Sequence, residues 1–318
     1  MLLDGWSGAL VYKEALAFYQ AFNRGESLNI ERPRLYKDYI EWIGKQDRSE
    51  AEAFWRLKLK GFSTATPLMA KLESMSLPDE EEGFGSQQVR LSAAATAALQ
   101  SLGRQHRLTM NTLVQGGWAL LLSRYSGQKD IVFGTVVSGR PHDLAGVESM
   151  VGLFINTLPM RFRISPEASL LSWLQEAQEQ QVETRRFEHS ALVDIQGWSE
   201  VPRGQPLFES IYAFENYPVI ASSDEVNLRL KTEVLSAFER TSYSLTVMAS
   251  VDTQLMLRIL YDRRWINDAV IIRMLSHFQN LLEDFAANSD KKLSVLSIMN
   301  EEESNQLLGE FNANLEVY

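Results

Sequence analysis

IVFGTVV, residues 131–137, decides the fold class. It is apolar and rich in β-branched side chains with no polar alternation, which suits a strand covered on both faces. MRFRI, residues 160–164, alternates apolar and charged side chains, as a half-buried strand does. Residues 109–125 between them and the N-terminal third are apolar nearly all round and predict a buried helix. Residues 170–187 predict a polar-rich helix that turns Leu171, Leu174, Ala177 and Val182 toward the core. Strand patterns recur at about 210–214, 227–234, 243–251 and 255–261. A closing amphipathic helix carries Val270, Ile271, Met274, Leu275, Phe278, Leu281 and Leu282. Strands interleaved with helices in this way predict an α/β fold with a mixed β-sheet flanked by helices.

The N-terminal third is organised differently. Asp4-Gly5-Trp6-Ser7 follows a short apolar run and reads as the end of a buried strand and a turn. Val11, Ala15, Phe18 and Phe22 then repeat at helical spacing until Gly25, with Ser7 in position to cap that helix. Tyr36, Tyr39, Ile40 and Ile43 share one face of a second short helix, and Ala53, Phe54, Leu57 and Leu59 belong to a third. Residues 61–85 lose all period and include the acidic run 79–82, so an exposed connection is expected there. Ser92 is placed to cap a helix carrying Leu99 and Leu102. After residue 287 the chain turns polar around the apolar island 295–299, and acidic residues 301–303 begin a last short helix.

Composition narrows the functional classes. Of 318 residues, 45% are hydrophobic and 23% charged, so a packed core is within reach. The net charge of −10 and the absence of any basic cluster beyond Arg185-Arg186 and Arg263-Arg264 argue against nucleic acid as a partner. No apolar run approaches the roughly 20 residues of a membrane span, so no membrane partner is expected. With no cysteine there is no disulfide, thiolate site or cysteine nucleophile. That fits a reducing compartment, and a cytoplasmic location is expected.

The four histidines, His106, His142, His189 and His277, have no partner at metal-ligand spacing, so no metal is expected. His142 and His189 stand in loop-like stretches and are the better candidates for chemistry. There is no phosphate-binding glycine loop and no G-x-S-x-G elbow. The scattered carboxylates offer no acid/base pair by spacing.

Several strings together carry a family resemblance. Leu3-Asp4-Gly5, with Trp6-Ser7, resembles the end of the catalytic motif of condensation domains from nonribosomal peptide synthetases, in which two histidines and three variable residues precede Asp-Gly. Tyr36–Trp42, Phe54-Trp55, residues 134–141 (GTVVSGRP) and above all residues 151–161 (VGLFINTLPMR) resemble later motifs in the family's order. Residues 195–199, 207–210 and 214–218 complete the series.

The resemblance implies a fold of two chloramphenicol-acetyltransferase-like lobes with a tunnel between them, the first lobe incomplete here and the second essentially complete. The expected divisions are 1–60 (remnant of the N-terminal lobe), 61–85 (connection), 86–287 (C-terminal lobe) and 288–318 (linker toward a following adenylation domain). The implied reaction is amide formation between a donor acyl or peptidyl thioester and an acceptor aminoacyl amine, both carrier-bound. Its implied partners are upstream and downstream peptidyl carrier domains. No cofactor is bound directly, because the phosphopantetheine arms belong to the carriers.

Asp4 and Gly5 are then what remains of the catalytic motif, the Asp holding the loop through an ion pair and the Gly permitting a tight turn. The motif's paired histidines do not occur in this chain. The basic partner of Asp4 is expected outside the chain as well. Asn156, Gln196 and Ser210 are the candidate tunnel residues. Read from the residues alone, Asn156 fits equally well the end of a strand's hydrogen bonding, and Trp198 and Ser199 a core residue and a cap. The other readings are a non-catalytic carrier-docking remnant, an epimerisation domain and a stand-alone acyltransferase using coenzyme A. Two further expectations concern the chain by itself. It should not condense loaded carriers, and its N-terminal helices should expose apolar faces for want of a surface to pack on.

Overall fold

The computed structural model describes residues 2–30, 32–68, 83–215, 241–300 and 303–305. Helix α1 (Gly5–Arg24), α2 (Tyr36–Ile43) and α3 (Arg48–Lys58) precede strand β1 (Phe84–Arg90). Then come α4 (Ala93–His106), α5 (Met110–Ser126), β2 (Asp130–Val137), β3 (Asn156–Arg163), α6 (Leu170–Arg185), α7 (Leu192–Trp198), β4 (Ser210–Glu215), β5 (Leu245–Val251), β6 (Leu255–Asp262) and α8 (Asp268–Ala287). Among the described residues the strands form one six-stranded sheet in the order β1-β6-β5-β4-β2-β3. β4 lies parallel to both β2 and β5, and the remaining pairs are antiparallel, so the sheet is mixed as expected.

Alternation along the strands divides the interior into two layers. Ile131 and Phe133 of β2, with Tyr212 of β4, face the large cluster built with α4, α5, α6 and α8. Val132 and Ile211 point the other way, into a second cluster with Leu158, Phe208, Ile195 and Trp198. The sheet is therefore covered on both faces at β2, which is why residues 131–137 read as continuously apolar. α5 lies deepest: every residue from Thr112 to Ser123 is buried.

The second layer corrects an expectation about the N-terminal helices. α3 lays Ala51 and Trp55, 2% and 1% exposed, onto the face formed by Val132, Leu158 and Phe208. The Trp55 indole N–H donates to the Ser190 hydroxyl at 3.0 Å. α2 buries Tyr39 against Met150 and Phe154 in a third cluster. These two helices have a surface to pack on: the sheet face of β2, β3 and β4 receives α3, and the segment between β2 and β3 receives α2. The expectation holds most fully for α1, with Val11, Phe18 and Phe22 exposed, and in part for α2 and α3, where Ile40 and Leu57 are exposed.

Residues 61–68, the described start of the expected connection, are anchored at intervals: Gly61, Ser63 and Thr64 are exposed, Phe62, Thr66 and Leu68 are buried, and the Thr66 hydroxyl accepts the Val132 N–H at 2.9 Å. The expected linker is likewise seated as far as it is described. Leu293 and Leu296 are buried, Leu293 N–H donates to Ala168 O, and the Arg124 guanidinium donates to Leu293 O.

The helix starts follow ordinary capping chemistry. Asp4, Asp47, Ser92, Thr109, Ser169 and Asn267 each accept a main-chain N–H of the first turn. Asp4, not Ser7, caps α1: its carboxylate accepts the Ser7 N–H, and Ser7 sits in the first turn. β1 and α7 have no counterpart in the sequence reading. β1 is an edge strand of mostly polar residues, paired only with β6. The expected strand at 227–234, the acidic run 79–82 and residues 306–318 lie outside the described residues, as do residues 216–218 of one quoted motif.

Candidate active site

Asp4 stands at the centre of a buried polar cluster that joins the first helix to the segment before β3. Its Oδ1 accepts the Ser7 N–H at 2.7 Å and its Oδ2 accepts the Phe154 N–H at 3.0 Å. Its own N–H donates to Gly152 O at 3.3 Å. The Ser7 hydroxyl donates to Gly152 O and accepts the Gly152 N–H. One short motif at the N-terminus therefore holds the main chain of Gly152 and Phe154, nearly 150 residues away in sequence.

Arg140 completes the cluster and overturns the expectation that the basic partner of Asp4 lies elsewhere. Its Nη2 stands 3.4 Å from Asp4 Oδ1, and the two side chains are 6% and 1% exposed. The same nitrogen donates to the Ser7 hydroxyl at 2.9 Å, and Nη1 donates to the carbonyls of Val147 and Met150. The guanidinium lies 3.8 Å from the centre of the Phe154 ring. Burial alone pushes the Asp4 carboxyl up. The Ser7 N–H and hydroxyl, the Phe154 N–H and the Arg140 cation outweigh it and hold the carboxyl below its ordinary range. Burial pulls the Arg140 guanidinium down, against Asp4.

Sterics fix the loops around this pair. Gly139 has φ +62°, and a Cβ there would lie 1.9 Å from Phe154 O. A Cβ on Gly152 would lie 2.2 Å from the Tyr36 ring, whose hydroxyl donates to Leu153 O. Tyr36 and Tyr39 close on Phe154 at 5.0 and 4.5 Å between ring centres, and burial pushes the Tyr39 hydroxyl up to about 12. Gly5 is the first residue of α1 and lies outside the left-handed region, so the turn does not depend on it.

Next to the cluster opens a cavity of about 680 Å³, bounded by the end of β2, the turn 138–143, the α6–α7 connection and the α2–α3 connection. Gln115 and Thr135 form part of its floor. Gln115, 1% exposed in the buried middle of α5, donates to the Thr135 hydroxyl at 2.7 Å and accepts from Gln181 at 2.7 Å. Trp42 donates to Asp143 at 3.1 Å and meets the His189 ring edge-on at 5.6 Å. Burial pushes the Glu188 carboxyl up, opposed by Arg185, the Gly139 N–H and His142, and burial pulls the His189 ring down, opposed by Asp143.

The candidate tunnel residues do not line this cavity. The Asn156 amide donates to Glu188 O at 2.9 Å and Ser190 O at 2.7 Å, while its oxygen accepts the Thr157 N–H. It thereby fixes the main chain of a segment whose own side chains do line the cavity. Gln196 donates to Gln205 O from α7, and Ser210 is buried at the start of β4, paired with Leu245. Of the histidines, His142 and His189 reach the cavity. His277 is buried on α8, with Tyr125 at 2.8 Å and Glu303 at 3.3 Å. Among the described residues no group of His, Asp and Glu is arranged to hold a metal, and no helix is long and apolar enough to cross a membrane.

Sequence reasoning missed Arg140 and Glu188. Arg140 stands inside the quoted GTVVSGRP string, but nothing local there marks it as the partner of Asp4. Nothing in the sequence singles out Glu188.

The family model named Condensation domain matches residues 1–308. The chain is 44% identical over 318 residues to a linear gramicidin synthase of Brevibacillus parabrevis, covering 100% of this chain and 6% of the relative. It is 38% identical to chondramide synthase cmdD of Chondromyces crocatus, of which it spans 8%, and 30% identical to a surfactin synthase of Bacillus subtilis, of which it spans 24%. The fold resembles the condensation domain of the monacolin K polyketide synthase, with a TM-score of 0.73, 18% identity and coverage of 92% of this chain and 69% of the other. It also resembles the X-domain from teicoplanin biosynthesis, with a TM-score of 0.72, 21% identity and coverage of 94% and 70%.

Proposed function

The chain belongs to the condensation-domain family, and from that premise we propose that it contributes the larger part of a unit that joins a carrier-bound acyl or peptidyl thioester to a carrier-bound aminoacyl amine. The observation that carries the reading is the Asp4–Arg140 cluster. It locks the residual Asp-Gly-Trp-Ser motif onto the segment before β3 and sets both against a cavity large enough for the end of a phosphopantetheine arm. A buried ion pair is costly to assemble, and this one holds together loops from three parts of the chain.

In this reading Asp4 and Arg140 are positioning residues. They fix the end of the motif whose histidines, in the resemblance, act on the acceptor amine. Asn156 positions residues 188–190 along the cavity wall. In the resemblance that role belongs to the motif's paired histidines, and this chain holds no adjacent pair of histidines. Upstream and downstream carrier domains supply the two arms, an adenylation domain follows, and the whole works in the cytoplasm. Residues 1–60 are the remnant of the first lobe, and residues 86–287 are the second.

The absence of cysteine makes a direct test simple. A single thiol at the exposed Ser138, on the cavity rim, is the only one in the variant S138C. A carrier whose arm ends in a haloacetyl group should alkylate S138C much faster than it alkylates R104C, which stands on the surface of α4. Equal rates at the two positions would overturn the assignment of the cavity to carrier-bound substrates.

A further inference from the structure

Glu188 is the one carboxylate of the cavity for which the structure supplies too few partners. Apart from the exposed Arg185 and His142, the other charges there are committed. Arg140 is held by Asp4, and Arg186 pairs with Glu50 at 2.9 Å. Asp47 caps α3, and Asp143 accepts from the Trp42 indole. The Gly139 N–H acts on the Glu188 carboxyl and opposes its burial. Among the described residues no cation stands within ion-pair distance of it, and Arg185 and His142, both exposed, act on it only from further away. A carboxylate has room for about four hydrogen bonds, so most of its capacity is open.

Such a group is expensive. Partial burial of an unpaired carboxylate is avoided unless something cationic comes to it. Its position is also rigidly imposed. Asn156 grips the main-chain carbonyl of Glu188 itself, and the neighbouring Gly139 is wedged against Phe154 with no space for a side chain.

We propose that Glu188 is a binding residue for the protonated α-amine of the acceptor, holding that ammonium in the cavity before it is acylated. This rests on the condensation reading and adds to it a determinant of what the cavity accepts. The reaction brings one obligatory cation, because the acceptor's free amine is largely protonated near neutral pH, with an α-amino pKa of about 7.7–8.0. An amide nitrogen carries no charge. Glu188 therefore distinguishes an acceptor still to be acylated from one already acylated, and the product leaves without an ion pair to break.

The test uses the 318-residue chain and two ligands, alanyl-pantetheine amide and its N-acetyl derivative, with affinities read by ligand-observed NMR. Wild type should bind the free amine roughly ten- to a hundredfold more tightly, the range expected when a hydrogen bond to a charged group is lost. In E188Q the amine should fall to the affinity of the acetylated ligand, and the acetylated ligand should bind as it does to wild type, with the circular dichroism spectrum unchanged. Equal binding of the two ligands by wild type overturns the role of Glu188 and leaves the condensation reading standing, and this outcome does not depend on how the variant folds. A preference for the amine that survives in E188Q overturns it too. Binding of neither ligand overturns both the assignment of the cavity to the acceptor and the role of Glu188.

Discussion

Replacing Asp4 tests how the N-terminal motif is anchored. In D4A three donors lose their acceptor at once: the Ser7 N–H, the Phe154 N–H and the Arg140 guanidinium. Loss of the cap costs about 1 kcal/mol, and an orphaned buried N–H about 1–3 kcal/mol. Leaving one member of a buried ion pair alone costs about 3–5 kcal/mol. These effects share atoms and do not add. Arg140 keeps Ser7 Oγ, Val147 O and Met150 O, so the loss should fall near the lower end of the largest range, about 3–4 kcal/mol.

D4N should do almost as badly, although asparagine caps helices well. Both carboxylate oxygens face donors, so whichever way the amide turns, its NH2 meets an N–H. The pH dependence has a definite sign. The folded-state pKa of Asp4 is depressed, so its stabilisation is fully present above the ordinary carboxylate pKa of about 4 and is lost as pH falls through the folded value. The deficit of D4N relative to wild type should therefore shrink with acidification below that range. Urea unfolding followed by circular dichroism measures both quantities. A D4N deficit under about 1 kcal/mol at neutral pH, or one independent of pH, would refute the reasoning.

G139A adds a left-handed non-glycine residue, about 1–2 kcal/mol, to a Cβ that meets a main-chain oxygen at 1.9 Å. It should shift the turn, and loss of the Asp4–Arg140 contact in a structure of the variant would show this. N156A leaves the carbonyls of Glu188 and Ser190 without their donor and should cost about 1–3 kcal/mol in urea unfolding. If N156A is as stable as wild type, its place as an anchor is wrong. Burial raises the folded-state pKa of Glu188 in surroundings that also include His142, Arg185, Tyr39, Asp143 and Arg140. Glu188 therefore stabilises least once pH has risen through that raised value. E188Q should accordingly melt higher than wild type at pH 8, with the gap closing toward pH 4. A lower melting temperature at pH 8 would contradict the sign.

The sequence was most readable where side-chain period and tertiary burial agree. Residues 131–137 are apolar because β2 is covered on both faces, and 268–287 are amphipathic because α8 is covered on one. β1 was invisible because an edge strand such as FGSQQVR needs few apolar residues. Within the site, the Asp-Gly-Trp-Ser string identified Asp4 but not its partner. The contact spans 136 residues, and no local pattern encodes it. Asn156 and Ser210 stood out by motif. Their roles depend on which way each side chain points from its strand end, and for Asn156 that direction is toward the 188–190 main chain. The fate of the N-terminal helices was misjudged for a related reason. The face that receives α3 is made from β2, β3 and β4, far along the chain, and an inventory of neighbouring elements does not reveal it.

The most direct test of the central claim is the mass of the acceptor carrier after one turnover. The chain is extended at its N-terminus with the corresponding preceding segment of the linear gramicidin synthase that shares 44% of its residues, and mixed with one donor-loaded and one aminoacyl-loaded carrier. The acceptor carrier should then gain the mass of the donor acyl group, the donor carrier should return to its free thiol, and D4A should abolish the transfer. The unextended chain should leave both masses unchanged. Transfer by the unextended chain, or none by an extended protein that folds and takes up both carriers, would contradict the account.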